Sequence, residues 1–181
     1  MKNILVTGGS GKAGRATIKL LLKNDYNVFN VDFVNHSDLD VPYTKVDLEN
    51  FADTIEAVSE IDDRINGIDA IIHQAAIPAP GLETNHKTFR VNTLSTYNIF
   101  QASKVFKINN IVWASSETVL GLPFDEYPPY IPVDEKYDPR PESSYSLSKV
   151  MGEEMARQYC RKNPEMKIFG LRYSNIMEDN D

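Results

Sequence analysis

Short apolar runs recur along the chain at lengths that suit buried strands: Ile4 to Val6, Val28 to Val31, Ile68 to Ile72, Ile111 to Trp113 and Ile168 to Leu171. A weaker run, Tyr43 to Val46, brings the number to about six. Between them the apolar spacing turns helical, as in Ala16, Leu20 and Leu21, or in Phe89, Leu94, Tyr97, Phe100 and Val105. Strands alternating with helices require right-handed crossovers, and so a parallel sheet covered on both faces. The pattern therefore predicts an α/β chain, with a doubly wound parallel sheet of about six strands in one domain, residues 1–181. From Gly121 to Pro141 the chain is too rich in proline for a helix or a central strand. That segment is expected to be a long surface loop, of a length often tied to function.

Composition narrows the choice of ligand. A chain of 181 residues can bury a sizeable core but is short for an enzyme with a separate substrate domain. Its net charge of −7, with no compensating basic stretch, argues against nucleic acid or an anionic membrane and for a small soluble ligand. No apolar run approaches membrane-spanning length, and KNILV enters a strand pattern at once, so the expectation is a cytoplasmic protein with no membrane partner. The lone Cys160 has no Cys or His neighbour at metal-ligand spacing; it reads as a helix-face residue, and no metal site is expected.

The stretch VTGGSGKAGR, Val6 to Arg15, is the first candidate for chemistry. A triphosphate loop needs a hydroxyl after its Gly-Lys pair and a glycine five residues before its second glycine; here Ala13 and Val6 stand in those places. A dinucleotide site needs glycines where a strand turns into a helix, so that backbone and helix amino terminus can approach a pyrophosphate. Gly9, Gly11 and Gly14 satisfy one such spacing, and Gly8, Gly11 and Gly14 a related one, with Lys12 and Ala13 inside the loop. The second strand ends at Asp32, whose carboxylate could accept hydrogen bonds from ribose hydroxyls or merely cap a turn. No Arg or Lys lies between Asp32 and Asp40 to meet a ribose phosphate, which favours NAD over NADP.

The second candidate is YSLSK, in which Tyr145 and Lys149 are four residues apart and share one face of a helix. Ser143 and Ser144 are candidate caps, and Asn163-Pro164 supplies a stop. A phenol of ordinary pKa near 10 is a poor base at neutral pH, and a nearby ammonium favours its ionised form. The pair could serve as general base and electrostatic tuner, although the same spacing is common on solvated helix faces.

The ordered combination of TGGSGKAG, Asp32, Asp47-Leu48, HQAA, VNTLSTYN, ASSETVLG, YSLSK and LRYSN resembles the extended short-chain dehydrogenase/reductase superfamily, in its NAD-dependent epimerase/dehydratase branch. The resemblance runs from Lys2 to about Met177 and implies a Rossmann-type fold. It implies that the loop with Gly8, Gly11, Lys12, Ala13 and Gly14 wraps the pyrophosphate, that Asp32 binds the adenosine ribose, and that Asp47 and Leu48 lie beside the adenine. Ala75 and Ala76 would let the backbone lie close to the cofactor, while His73 reads as packing. Asn92 would support the hydrogen-bond network, Ser116 would bond the reacting sugar oxygen, Tyr145 would act as base and also contact the cofactor, and Lys149 would bind the nicotinamide ribose and, together with the cationic ring, lower the tyrosine pKa. The implied cofactor is NAD, the implied substrate a sugar or nucleotide sugar, and the implied assembly a homodimer through the helices bearing Asn92 and Tyr145.

Two departures from the family pattern shape the expected activity. Dehydratases place Asp-Glu after the catalytic hydroxyl, whereas this chain has Glu117-Thr118, and Leu120 stands where many epimerases have tyrosine. An epimerase and a sugar or uronate dehydrogenase that releases NADH both stay open. Members of the branch also continue past the sixth strand into a region that forms most of the sugar pocket, whereas this sequence ends at Asp181. The expectation is a cofactor half lacking most of that region, with an NAD-binding module without activity as the alternative.

Overall fold

A computed structural model describes residues 1–36, 38–59 and 67–177. Its elements alternate as expected: β1 (Asn3–Thr7), α1 (Lys12–Lys23), β2 (Asn27–Asp32), β3 (Tyr43–Lys45), α2 (Phe51–Ser59), β4 (Ala70–His73), α3 (Asn85–Val105), β5 (Asn110–Ser116), a 3-10 turn (Glu117–Leu120), α4 (Ser144–Lys162) and β6 (Lys167–Tyr173). The six strands form one parallel sheet in the order β3-β2-β1-β4-β5-β6. This is a Rossmann-type doubly wound sheet, whose strand order reverses between β1 and β4 and opens a crevice at the carboxyl ends of the strands. The fourth strand begins at Ala70 rather than Ile68, and α2 fills a stretch for which the apolar spacing gave no element.

Two cores lie on opposite faces of the sheet. On one, Leu5, Ile71, Ile111 and Trp113 pack with Ile99, Phe100, Ala156 and Tyr159 from α3 and α4. On the other, Ile4, Val6 and Val28 pack against Ile18 of α1. Burial on both faces explains why β1 reads as a continuous apolar run instead of an alternating one.

The helices bury faces that differ from the expected ones. In α1 the inward residues are Gly14 and Ile18, with Leu21 partly buried, and Leu20 is exposed. In α3, Phe100 is buried but Leu94, Tyr97 and Val105 are exposed. The buried stripe is made largely of Thr88, Asn92, Ser95, Thr96, Asn98 and Ser103. Small residues let α3 lie close to its neighbours; Asn98 Nδ2 donates across to the carbonyls of Leu48 at 2.8 Å and Glu49 at 3.1 Å, Ser95 and Ser103 donate to carbonyls of α3 itself, and Thr88 Oγ1 is buried without a partner among the described residues.

Local signals place α4 and the long loop. Ser143 caps α4 and forms a reciprocal capping box with Ser146, so the helix starts beside Tyr145. The segment from Gly121 to Glu142 contains no helix or strand. It is pinned by Arg140, whose amide donates to Val119 O at 2.9 Å and whose guanidinium meets Asp125, Glu126 and Glu142.

Candidate active site

A cleft of about 950 Å3 lies at the carboxyl ends of the strands and is lined by residues that follow β1, β2, β4 and β5 and by the first turns of α1 and α4. Of the residues singled out from the sequence, Gly8, Gly11, Lys12, Ala13, Gly14, Asp32, Asp47, Leu48, Ala75, Ala76, Ser116, Tyr145 and Lys149 all line it. Asn92 does not.

The glycines at one end are explained by close backbone approach. Gly8 has φ +70, and a Cβ there would come within 2.5 Å of Ala75 N; a Cβ at Gly14 would collide with the backbone of Gly8 and Gly9. Gly11 is different: a side chain there would approach only Gly8 O, at 3.3 Å, so the bulk its hydrogen avoids would occupy the cleft itself. The amino terminus of α1 has no side-chain cap at Gly11, and its first turn, the positive end of the helix dipole, lines the cleft. These features fit the pyrophosphate of a dinucleotide.

At the tip of β2, Asp32 is held by backbone amides, Oδ2 accepting from Ser10 N at 2.9 Å and Oδ1 from Phe33 N at 2.6 Å. Reading along the chain missed a cation here. Lys45 lies in register with Asp32 on β3, with its Nζ 5.0 Å from the Phe33 ring centroid. On the opposite wall, Thr7 Oγ1 accepts from Ala75 N at 3.3 Å, and Gln74 N bonds Thr7 O at 3.0 Å, which fixes the turn bearing Ala75 and Ala76. His73 packs beneath, fully buried between the hydroxyls of Thr7 and Thr96. Burial, and secondarily the charge of Lys149, push its pKa down to about 3.

Ser116, Tyr145 and Lys149 converge at the other end. Ser116 ends β5, and its hydroxyl accepts from Thr118 N at 3.2 Å and shares a hydrogen bond with Thr118 Oγ1 at 2.9 Å. Burial raises the Tyr145 hydroxyl above its ordinary pKa, while the Ser116 hydroxyl beside it acts in the opposite direction. Lys149 Nζ donates to Ala114 O at 2.7 Å and lies 5.6 Å from the Tyr145 ring centroid. Burial pushes this ammonium down to about 8. For the phenol, burial is the larger influence and the Ser116 hydroxyl the opposing one.

Asn92 is a brace. Its Oδ1 accepts from Ile77 N at 2.8 Å and its Nδ2 donates to Ile77 O at 3.1 Å, with Ser148 Oγ at 3.4 Å. It ties the wall after β4 to α4. A second brace was not read from the sequence: Glu153 accepts from Ser115 Oγ at 2.8 Å and from Arg172 Nη2 at 2.8 Å and Nε at 2.9 Å. Arg172 in LRYSN is the fragment of that signal visible in the chain, but its partner lies 19 residues away.

Residues 4–177 match the NAD dependent epimerase/dehydratase family. The chain belongs to that family. It is 34% identical to a putative UDP-glucose 4-epimerase of Methanocaldococcus jannaschii, over 96% of this chain and 55% of the relative. A solved UDP-glucose 4-epimerase from Brucella ovis in complex with NAD superposes with a TM-score of 0.83 at 25% identity, over 97% of this chain and 52% of that one. A mutated uronate dehydrogenase superposes at 0.76 and 27% identity, over 92% and 56%. The chain spans about half the length of the curated relatives it matches. Among the described residues, no helix is long and apolar enough to cross a membrane, and no group of three or more acidic, Cys or His side chains could hold a metal.

Proposed function

We propose that this chain binds NAD and carries the Ser-Tyr-Lys machinery of a nucleotide-sugar epimerase. The carrying observation is that one cleft has an anion-ready helix terminus and Asp32 at one end and Ser116, Tyr145 and Lys149 at the other. Gly8, Gly11, Lys12, Ala13 and Gly14 would hold the pyrophosphate, Asp32 the adenosine ribose, Asp47 and Leu48 the adenine side, and Lys149 the nicotinamide ribose. When bound, NAD supplies the hydride acceptor and donor.

The chain's own residues position and move the proton. Ser116 Oγ holds the reacting sugar oxygen, Tyr145 takes the hydroxyl proton, and Lys149, mostly charged at neutral pH with a pKa of about 8, steadies the tyrosinate. A phenol raised by burial needs that positive charge close by as the site fills. Asp32 favours a free ribose 2′-hydroxyl over a 2′-phosphate, although Lys45 beside it softens the preference.

A dehydrogenase that releases NADH is the second reading, supported by Leu120 and by the likeness to uronate dehydrogenase. Incubation with NAD and UDP-glucose or uronic acids separates the two. Isomer exchange without net NADH marks an epimerase, and net absorbance from NADH marks a dehydrogenase. Tyr145→Phe should lower either rate by about a hundredfold or more, with NAD affinity kept; a variant as active as the parent refutes the base assignment. We also propose a homodimer through α3 and α4, supported by the exposed Leu94, Tyr97, Leu147 and Met151 on those helices. Light scattering of the parent and a Tyr97→Glu/Met151→Glu variant tests it: a dimer that becomes monomeric is expected, and a monomeric parent refutes it.

A further inference from the structure

We infer that Glu117 selects the sugar by its charge, accepting hydrogen bonds from the hydroxyls of a neutral sugar and turning away a sugar that carries a carboxylate. The inference rests on the proposed reading of the cleft as a sugar-oxidising site. Glu117 directly follows Ser116, opens the 3-10 turn and lines the cleft. Four other carboxylates line it, and each has a partner. Asp32 accepts from Ser10 N, Asp47 from Glu49 N, Glu49 pairs with Arg90, and Glu83 with Lys87. Among the described residues Glu117 has neither a hydrogen bond nor an ion pair from its side chain.

The nearby cations are committed elsewhere. Arg140, tied to the same turn through Val119 O, is shared among Asp125, Glu126 and Glu142. Arg172, at the end of β6, is bound to Glu153, and Lys149 Nζ is directed at Ala114 O. An unpartnered carboxylate beside the reacting hydroxyls has two consequences. Sugar hydroxyls donate to it in charge-assisted hydrogen bonds, and a second carboxylate brought beside it in the cleft is repelled. Glu117 therefore favours the neutral substrates of the epimerase reading and opposes the uronates of the dehydrogenase reading.

The test compares UDP-glucose with UDP-glucuronate, which differ at one carbon, by calorimetric titration of the NAD-loaded chain and of its Glu117→Gln and Glu117→Ala variants. The parent should bind UDP-glucose about tenfold or more tighter. Glu117→Gln should narrow that ratio to about threefold, mainly by strengthening UDP-glucuronate, and Glu117→Ala should weaken UDP-glucose about tenfold. Unchanged NAD affinity reports an intact fold. A ratio that ignores both substitutions, a parent that prefers UDP-glucuronate, or a parent that binds neither sugar overturns the inference. Turnover in the same samples separates it from the reading beneath it. If the ratio responds to Glu117 while no sugar is oxidised or epimerised, the catalytic reading fails and the inference about Glu117 stands. If turnover depends on Tyr145 while the ratio ignores Glu117, only the inference fails.

Discussion

The two faces of the sheet are finished to different degrees. On the face covered by α2, α3 and α4, Trp113 is 1% exposed and packs edge-to-face on Phe100, with ring centroids 6.2 Å apart. On the other face α1 covers Ile4, Val6 and Val28, but beyond it Phe169 is 57% exposed and Leu171 41%. Register and pleat together produce the contrast. Trp113 pairs with Gly170, which puts Ile168 and Gly170 on the Trp113 face and leaves Phe169 and Leu171 for the opposite one. The buried polar contacts near β4, β5 and α4 keep to the closed side. His73, Lys149 and the Glu153 brace all stand among elements packed there, where exclusion of water strengthens charges and hydrogen bonds. The cleft itself draws on both faces, with the first turn of α1 on one side and that of α4 on the other, while β6 is left partly bare.

If that contrast is right, the largest effect should come from acid. The His73 imidazole titrates near 6.5 in an unfolded chain and near 3 in the folded one, so between those values the unfolded state binds more protons. Stability is expected to fall as pH drops from about 6.5 toward 3, by up to about 5 kcal/mol. Denaturant titrations across that range should give a flatter profile for His73→Gln, and an identical slope would remove His73 as the cause. Next is Trp113→Ala, which empties the closed core; it should cost about 3–5 kcal/mol by the same titration. A loss below about 1 kcal/mol would mean that this core is not tightly packed.

Glu153→Gln tests the brace between α4 and β6. Its carboxylate is held below the usual range by Arg172 and Ser115 against the opposing pull of burial. Removing the charge leaves Arg172 half-buried without its partner and should cost about 2 kcal/mol. That loss should vanish as pH falls through the carboxylate range, and a pH-independent loss would point to packing instead. The smallest effect belongs to the open face. Phe169→Ser should change stability by less than about 1 kcal/mol while lowering the fluorescence of a bound apolar dye. A loss as large as that of Trp113→Ala would show that the two faces are equally committed.

Much of this organisation is legible in the chain because many residues that line the cleft follow short spacings. The glycines from Gly8 to Gly14 and the pair Tyr145 and Lys149 are local patterns, and each lies where its spacing predicts. The buried stripe of α3 is not legible from apolar periodicity. Its Thr96 and Asn98 are buried because His73 and the carbonyls of Leu48 and Glu49 wait for them across the fold. Lys45 comes into register with Asp32 only through the pairing of β2 with β3, and Glu153 meets Arg172 only where α4 and β6 come together. Such partners are set by register and packing, which act over distances that local spacing does not record.

The most direct test of the cofactor cleft is an equilibrium titration of the chain with NAD, beside Gly11→Val, which fills the space left open to the cleft, and Asp32→Ala. Saturable binding of one NAD per chain is expected, abolished by Gly11→Val and weakened about tenfold or more by Asp32→Ala, with the fold intact by circular dichroism. Absence of NAD binding in the parent, or binding that neither substitution changes, would contradict it.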